Sequence, residues 1–178
     1  QSDFIRGLAF IDGLTGVYNR NYLKDYLVGQ IRYTKRNKSF MTLVLFDIDY
    51  FKAYNDSLGH LKGDECLKLV SETLKSGIRR PLDMIARFGG EEFVVVLPDT
   101  DQQGAEAVVL RLVEEISSLN VHHPGSPYGR VTISAGVAVL CGDSGQVDLG
   151  EVDLLKRADL ALYEAKKAGR NRSVFWSE

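Results

Sequence analysis

Met84-Ile85-Ala86-Arg87-Phe88-Gly89-Gly90-Glu91-Glu92-Phe93-Val94-Val95-Val96-Leu97 is the stretch from which the fold can be read. Two apolar runs flank a glycine pair. Gly89-Gly90 between strand-like segments reads as a tight hairpin turn, because glycine enters positive φ without steric cost. Glu91 and Glu92 follow directly. Adjacent carboxylates at the start of a buried Val-Val-Val strand repel each other and lose hydration, so their placement asks for a cation. A turn stripped of side chains also lets a ligand meet backbone N–H groups. Alone, the same letters describe an ordinary hairpin with a solvated acidic edge.

A second acidic strand end stands upstream, where Met41-Thr42-Leu43-Val44-Leu45-Phe46 runs into Asp47-Ile48-Asp49. Strand ends are where open α/β sheets place their ligands. Two acidic ends side by side make an all-oxygen site of the kind Mg²⁺ prefers, with water and phosphate oxygens completing the shell. The strand pattern stops at Phe51-Lys52-Ala53-Tyr54-Asn55-Asp56, which predicts a short helical turn and a loop. Lys52 is a solvated charge by default, yet a turn here brings its ammonium near any phosphate held at the metal site. Asn55 and Asp64 offer an amide and a carboxylate that suit a guanine edge: an acceptor for N1–H and N2–H₂, donors for O6 and N7. Each is equally a turn-former or a helix cap.

The other elements follow from periodicity and punctuation. Asp12-Gly13-Leu14-Thr15-Gly16 is a turn-rich loop with no assigned chemistry, and Asn19 or Asn21 can cap a helix over about Tyr22 to Tyr33. Strand one covers about Phe40 to Asp47. From Gly63 onward Cys66, Leu67, Val70, Leu74 and Ile78 recur at helical spacing, and Pro81 ends that helix. Arg80 and Asp83 read there as a surface ion pair. Thr100-x-x-Gln103 has the form of a capping box opening a helix with a stripe of Val108, Val109, Leu112, Val113 and Ile116. Arg111 lies off that stripe as a solvated charge. His122-His123 sits in a loop dense in breakers and, without a third ligand nearby, predicts solvent exposure rather than a metal site. Arg130 to Leu140 alternates as a central strand, and Gly142 to Gly150 is an acidic connection. A helix over about Val152 to Ala168 ends at Gly169, with Lys166 and Lys167 where cations favour the helix dipole. Lys166 and Arg170, four apart across that helix end, can also converge on one polyphosphate. Ser173 to Trp176 closes as a short strand.

This order predicts an α/β (α+β) fold, a mostly antiparallel central sheet with flanking helices on a βαββαβ core, in one domain over residues 1–178. With 178 residues, 44% hydrophobic and 26% charged, the chain can bury a real core. A net charge of −2 gives no general reason to expect nucleic acid, so a polyanion site must be local. Cys66 and Cys141 lack metal-ligand spacing and read as reduced thiols. No apolar run has transmembrane length and no secretory signal is visible. The expected location is the cytoplasm, with membrane tethering of a longer protein left open.

Five blocks carry a family resemblance: Asp12 to Arg20, Phe46 to Asp56, Gly59 to Asp64, Phe88 to Phe93, and Ala158 to Arg172. Together they resemble the GGDEF domains, the diguanylate cyclases, in the variant with glutamate at the third signature position. The resemblance implies a nucleotidyl-cyclase or polymerase-palm type of fold. It also implies condensation of two GTP into cyclic di-GMP and two pyrophosphates by a homodimer. Asp47, the Ile48 carbonyl, Glu91 and Glu92 would hold Mg²⁺, two ions per half-site, with Mn²⁺ able to substitute. Glu91 would also be the base, and Lys52 would steady phosphate charge. Asn55, Asp64 and His60, the last in the loop between them, would read guanine. Gly89, Gly90, Lys166 and Arg170 would bind the rest of the nucleotide. Arg80 and Asp83 match the family's Arg-x-x-Asp, five residues before the glycine pair, and would be its inhibitory site, with Arg111 completing it for cyclic di-GMP as product and allosteric inhibitor. Residues 1–10 would end a helical connector from an upstream sensor or receiver module. The alternative is an inactive relative that binds GTP or cyclic di-GMP and signals by contact. The presence of Asp47, Lys52, Glu91, Glu92, Lys166 and Arg170 counts against it.

Overall fold

The computed structural model describes residues 9–143, 145 and 149–178. Of the expected connector, residues 1–8 lie outside the described residues, as do 144 and 146–148 of the acidic connection.

A strand apolar on both faces must be covered on both, and β1 (Phe40–Ile48) is buried from Met41 to Ile48. It lies at the centre of a five-stranded sheet with β2 (Met84–Gly89), β3 (Glu92–Pro98), β4 (Ile133–Cys141) and β5 (Ser173–Phe175), in the order β2-β3-β1-β4-β5. All neighbours pair antiparallel except β4 with β5. The expectation of a mostly antiparallel sheet with flanking helices holds.

Among the described residues the helices that follow the entry segment are α1 (Arg20–Arg36), α2 (Phe51–Leu58), α3 (His60–Gly77), α4 (Gln102–Ser118) and α5 (Glu151–Lys167). On one face Leu67, Val70 and Leu74 of α3 and Val109, Leu112 and Ile116 of α4 pack on Val44, Phe46, Val95, Ile133 and Val137. On the other, Leu23, Leu27 and Ile31 of α1 and Leu154, Ala158 and Leu162 of α5 pack on Leu43, Leu45, Val94, Val96 and Leu140. Burial of this kind contributes about 25 cal/mol per Å² of apolar surface.

Several boundaries differ from the periodicity reading. The segment after β1 is a full helix, α2, rather than a turn and loop. Its neighbour α3 starts at His60 rather than Gly63, so His60 sits in a first helical turn and not in a loop. Gly59 allows this by ending one helix and capping the next at φ 91. For α4 the cap is Asp101, whose carboxylate accepts from Gly104 N at 2.9 Å, and not Thr100. The Thr100 hydroxyl instead donates to the Pro98 carbonyl at 2.9 Å. Asn19 caps α1 as expected, accepting from Tyr22 N at 3.1 Å.

Candidate active site

The hairpin turn is one residue later than the glycine pair suggests. Gly89 still pairs with Glu92, so Gly90, at φ 29, and Glu91 form the turn itself. A register shift between Arg87 and Gly89 sets Phe88 aside as a bulge, where the Arg20 guanidinium lies 4.2 Å from its ring centroid. A Cβ added at Gly89 or Gly90 would meet nothing within 4 Å, so this turn is open to a ligand.

Register carries the acidic groups together. Asp47 is directly opposite Glu92 across β1 and β3, and Ile48 N donates to the Glu91 carbonyl at 3.3 Å. Asp47 is buried, with Glu91 and Glu92 half-buried. Burial pushes the Asp47 carboxyl above its ordinary range despite the Lys166 ammonium, and the nearby Glu91 and Asp49 charges add to the rise. Burial likewise raises Glu92, assisted by Asp47. Lys166 reaches across from the last turn of α5 and donates to Asp47 Oδ2 at 2.6 Å. The structure thus pairs an expected phosphate ligand with an expected metal ligand.

Two facing, mutually repelling carboxylates, one buried and one half-buried, already draw one cation, and the neighbouring donors are all oxygen. That chemistry fits Mg²⁺. Among the described residues no three carboxylate, histidine or cysteine side chains converge as a finished metal cluster. The carboxylates therefore stand near one another without closing around a point.

The remaining predicted site residues lie on the two helices that follow β1 and in the turn after α5. Lys52 is exposed in the first turn of α2. Asn55 is further along α2 with its Oδ1 buried and without a hydrogen-bond partner. It lies so close to α3 that a Cβ on Gly63 would sit 1.8 Å from that oxygen, which explains the glycine. Asp64 and His60 are exposed at the start of α3. Arg170 follows α5 at φ 64, with its guanidinium 4.4 Å from the Tyr50 ring centroid.

Asp49, the second carboxylate of the acidic strand end, is a structural hub. It is 1% exposed, and its carboxylate accepts from Ser134 Oγ at 2.6 Å, Thr132 Oγ1 at 2.7 Å and Asn171 N at 3.0 Å. It thereby ties the end of β1 to the start of β4 and to the turn carrying Arg170. Asp49→Ala leaves three donors without an acceptor, an expected loss of about 3 kcal/mol. A thermal melt should show a Tm roughly 6–12 °C lower; an unchanged Tm would contradict the hub assignment.

Asp12 was assigned no chemistry, and it reaches the same turn indirectly. Burial works against its charge, but hydrogen bonds from Thr15 and the Arg87 guanidinium hold its carboxyl below the usual range. Arg87 approaches Asp12 Oδ2 at 3.4 Å and donates through Nε to the Gly90 carbonyl at 2.9 Å. His123 corrects the loop reading: it is fully buried, while His122 is exposed as expected.

At the far end of the strands, Arg80 and Asp83 are more than a surface pair. The guanidinium meets Asp83 Oδ1 at 3.0 Å, the Pro98 carbonyl at 2.5 Å and the Thr100 hydroxyl, and the Asp83 side chain is only 5% exposed. They line a cavity with Phe40, Asp101, Gly104 and Val108. Arg111 lies a turn beyond Val108 and does not line this cavity. Its guanidinium donates to the Gly77 carbonyl and faces Glu115 Oε1 at 3.7 Å.

The sheet thus sets carboxylates at paired strand ends beside an open glycine turn and a lysine from the last helix. The sequence profile of the GGDEF domain, described as diguanylate cyclase, matches residues 9–172, and the chain belongs to that family. It is 41% identical over 167 residues to the diguanylate cyclase DgcP of Pseudomonas aeruginosa, covering 94% of this chain and 24% of that protein. It resembles the coiled coil and GGDEF domain of DgcB from Caulobacter crescentus, solved with c-di-GMP, at a TM-score of 0.87 and 28% identity, covering 98% and 89% of the two chains. The active GGEEF domain of a diguanylate cyclase from Vibrio cholerae matches at a TM-score of 0.78 and 32% identity, covering 90% and 97%. The chain spans less than half the length of the curated relatives it matches. Among the described residues no helix is long and apolar enough to cross a membrane.

Proposed function

We propose that this chain is a diguanylate cyclase in which each of two copies holds one GTP and the pair condenses them to cyclic di-GMP. The observation that carries the reading is the register placing Asp47 against Glu92 beside the Gly90-Glu91 turn. Asp47, Glu91, Glu92 and the Ile48 carbonyl would hold Mg²⁺, which when bound offsets charge on the attacking and leaving oxygens. Asn55 and Asp64, with His60 nearby, hold the guanine. Lys52, Lys166 and Arg170 bind the triphosphate, and Gly89-Gly90 admits it to the backbone. The 3′-oxygen of one nucleotide forms a bond to the α-phosphorus of the other, the bond to pyrophosphate breaks, and the hydroxyl proton goes to Glu91 or to water.

One chain supplies half of such a site, so two must face each other. Pyrophosphate release from GTP should therefore rise faster than in proportion to protein concentration. A strictly proportional rise down to dilute protein would contradict the paired arrangement. An upstream sensor or receiver module is the proposed controller of that pairing.

Product control follows from distance. The Arg80 cavity lies where β1 begins and β3 ends, whereas Asp47 and Glu92 lie at the opposite ends, roughly 20 Å away at strand rise. Cyclic di-GMP bound at Arg80 and Asp83, with Arg111 turning in from α4, would act on pairing or mobility rather than compete with GTP. Arg80→Ala should raise the product level reached while nearly preserving the initial rate, with Arg111→Ala weaker in the same sense. Progress curves with added cyclic di-GMP check this, and inhibition of the Arg80 variant at the wild-type concentration would remove the inhibitory site.

A further inference from the structure

The loop from His122 to Arg130 touches both flanks of the basic end of the site. On one side His123 accepts from Gly125 N at 3.1 Å through Nδ1, which leaves the ring proton on Nε2 to donate to the Tyr50 carbonyl at 3.1 Å. Its ring meets Tyr54 of α2 edge to face at 5.1 Å and 86°. On the other side the Tyr128 hydroxyl donates to the Gly169 carbonyl at 2.6 Å, beside Arg170. Between the two sides stands Tyr50, at φ 55, a left-handed backbone that a bulky residue keeps only where its surroundings over-determine it. Its ring underlies the Arg170 guanidinium. Stacking occupies one face of a guanidinium and leaves its in-plane N–H groups free to fork onto phosphate oxygens. Arg170 Nε is buried and has no hydrogen-bond partner.

We propose that Tyr50 is a positioning residue for Arg170. With the Tyr50 backbone carbonyl held by His123 and the Gly169 turn held by Tyr128, the ring lies against the guanidinium, presents the guanidinium edge to the triphosphate and so sets the affinity for GTP. This rests on the reading of Arg170 as a phosphate ligand. A phenyl ring suffices for the stack, whereas a branched aliphatic chain supplies volume without a π face.

The test is a calorimetric titration with Mg²⁺ and 3′-deoxy-GTP, which lacks the attacking hydroxyl and cannot be turned over. Tyr50→Leu should weaken binding about three- to tenfold, the worth of a partly desolvated cation–π contact. Tyr50→Phe should bind as wild type. In turnover, Tyr50→Leu should raise KM for GTP while kcat stays within about twofold, a split that general loss of structure would not produce. Arg170→Ala examines the underlying reading, and unchanged binding in that variant overturns it. Weakened binding in Arg170→Ala with unchanged binding in Tyr50→Leu overturns the proposal alone. On an Arg170→Ala background, Tyr50→Leu should cost nothing further; an additive loss would mean that Tyr50 does not act through Arg170. Tyr128→Phe, which deletes one exposed hydroxyl, is the second arm. It should weaken binding about two- to threefold through loss of one hydrogen bond, and wild-type binding there, with Tyr50→Leu unfolded or unchanged, overturns the clamp.

Discussion

Glu91→Gln should abolish cyclisation, with a rate loss of at least about 10²–10⁴, while the protein stays folded. The side chain sits in the turn itself, half-buried, outside the apolar clusters that hold the helices on the sheet. Its backbone carbonyl, which accepts from Ile48, is untouched by the change. The substitution removes one charge where Asp47 and Glu92 already repel, so the melting temperature should hold or rise. Near wild-type turnover in that variant would remove Glu91 from the metal and base assignment. Asp47→Asn is expected to act in the same direction by weakening Mg²⁺ binding.

Asp64→Ala should lose nucleotide discrimination rather than stability. Asp64 is exposed on the first turns of α3 and makes no contact that the core depends on, so its removal unfolds nothing. In the guanine reading it leaves N1–H and N2–H₂ without their acceptor, and discrimination of GTP from ATP should fall on the order of 10²-fold. ITP sharpens the comparison because it lacks only the 2-amino group. Wild type should prefer GTP to ITP, and the variant much less so, as read from kcat/KM for the three nucleotides. An equal loss for all three would make Asp64 structural.

The parts legible in the sequence were those with local signals. The apolar runs of β1 and β3, the glycine turn between β2 and β3 and the three- and four-residue stripes of α3 and α4 are short-range patterns, and they placed Asp47 and Glu92 at strand ends. What escaped was long-range. Lys166 meets Asp47 across 119 positions, and nothing near either residue announces it. Asp49 looked like half of an acidic pair, but its partners are Thr132 just before β4, Ser134 within it and Asn171 in the turn after α5. His123 was read as exposed because its neighbours are breakers, yet those same breakers fold the loop back so that the ring is buried against Tyr54. The capping of α4 moved by one residue because the Thr100 hydroxyl is engaged with Pro98 and Arg80. A boundary rule cannot anticipate a competing tertiary bond.

The central claim is that the acidic strand ends and the glycine turn form a GTP-condensing site. It is tested most directly by incubating the purified protein with GTP and Mg²⁺ and identifying the product by mass. The account predicts cyclic di-GMP with two pyrophosphates released per product. GTP bound but left intact at protein concentrations high enough to pair the half-sites, or conversion to any other nucleotide, would contradict it.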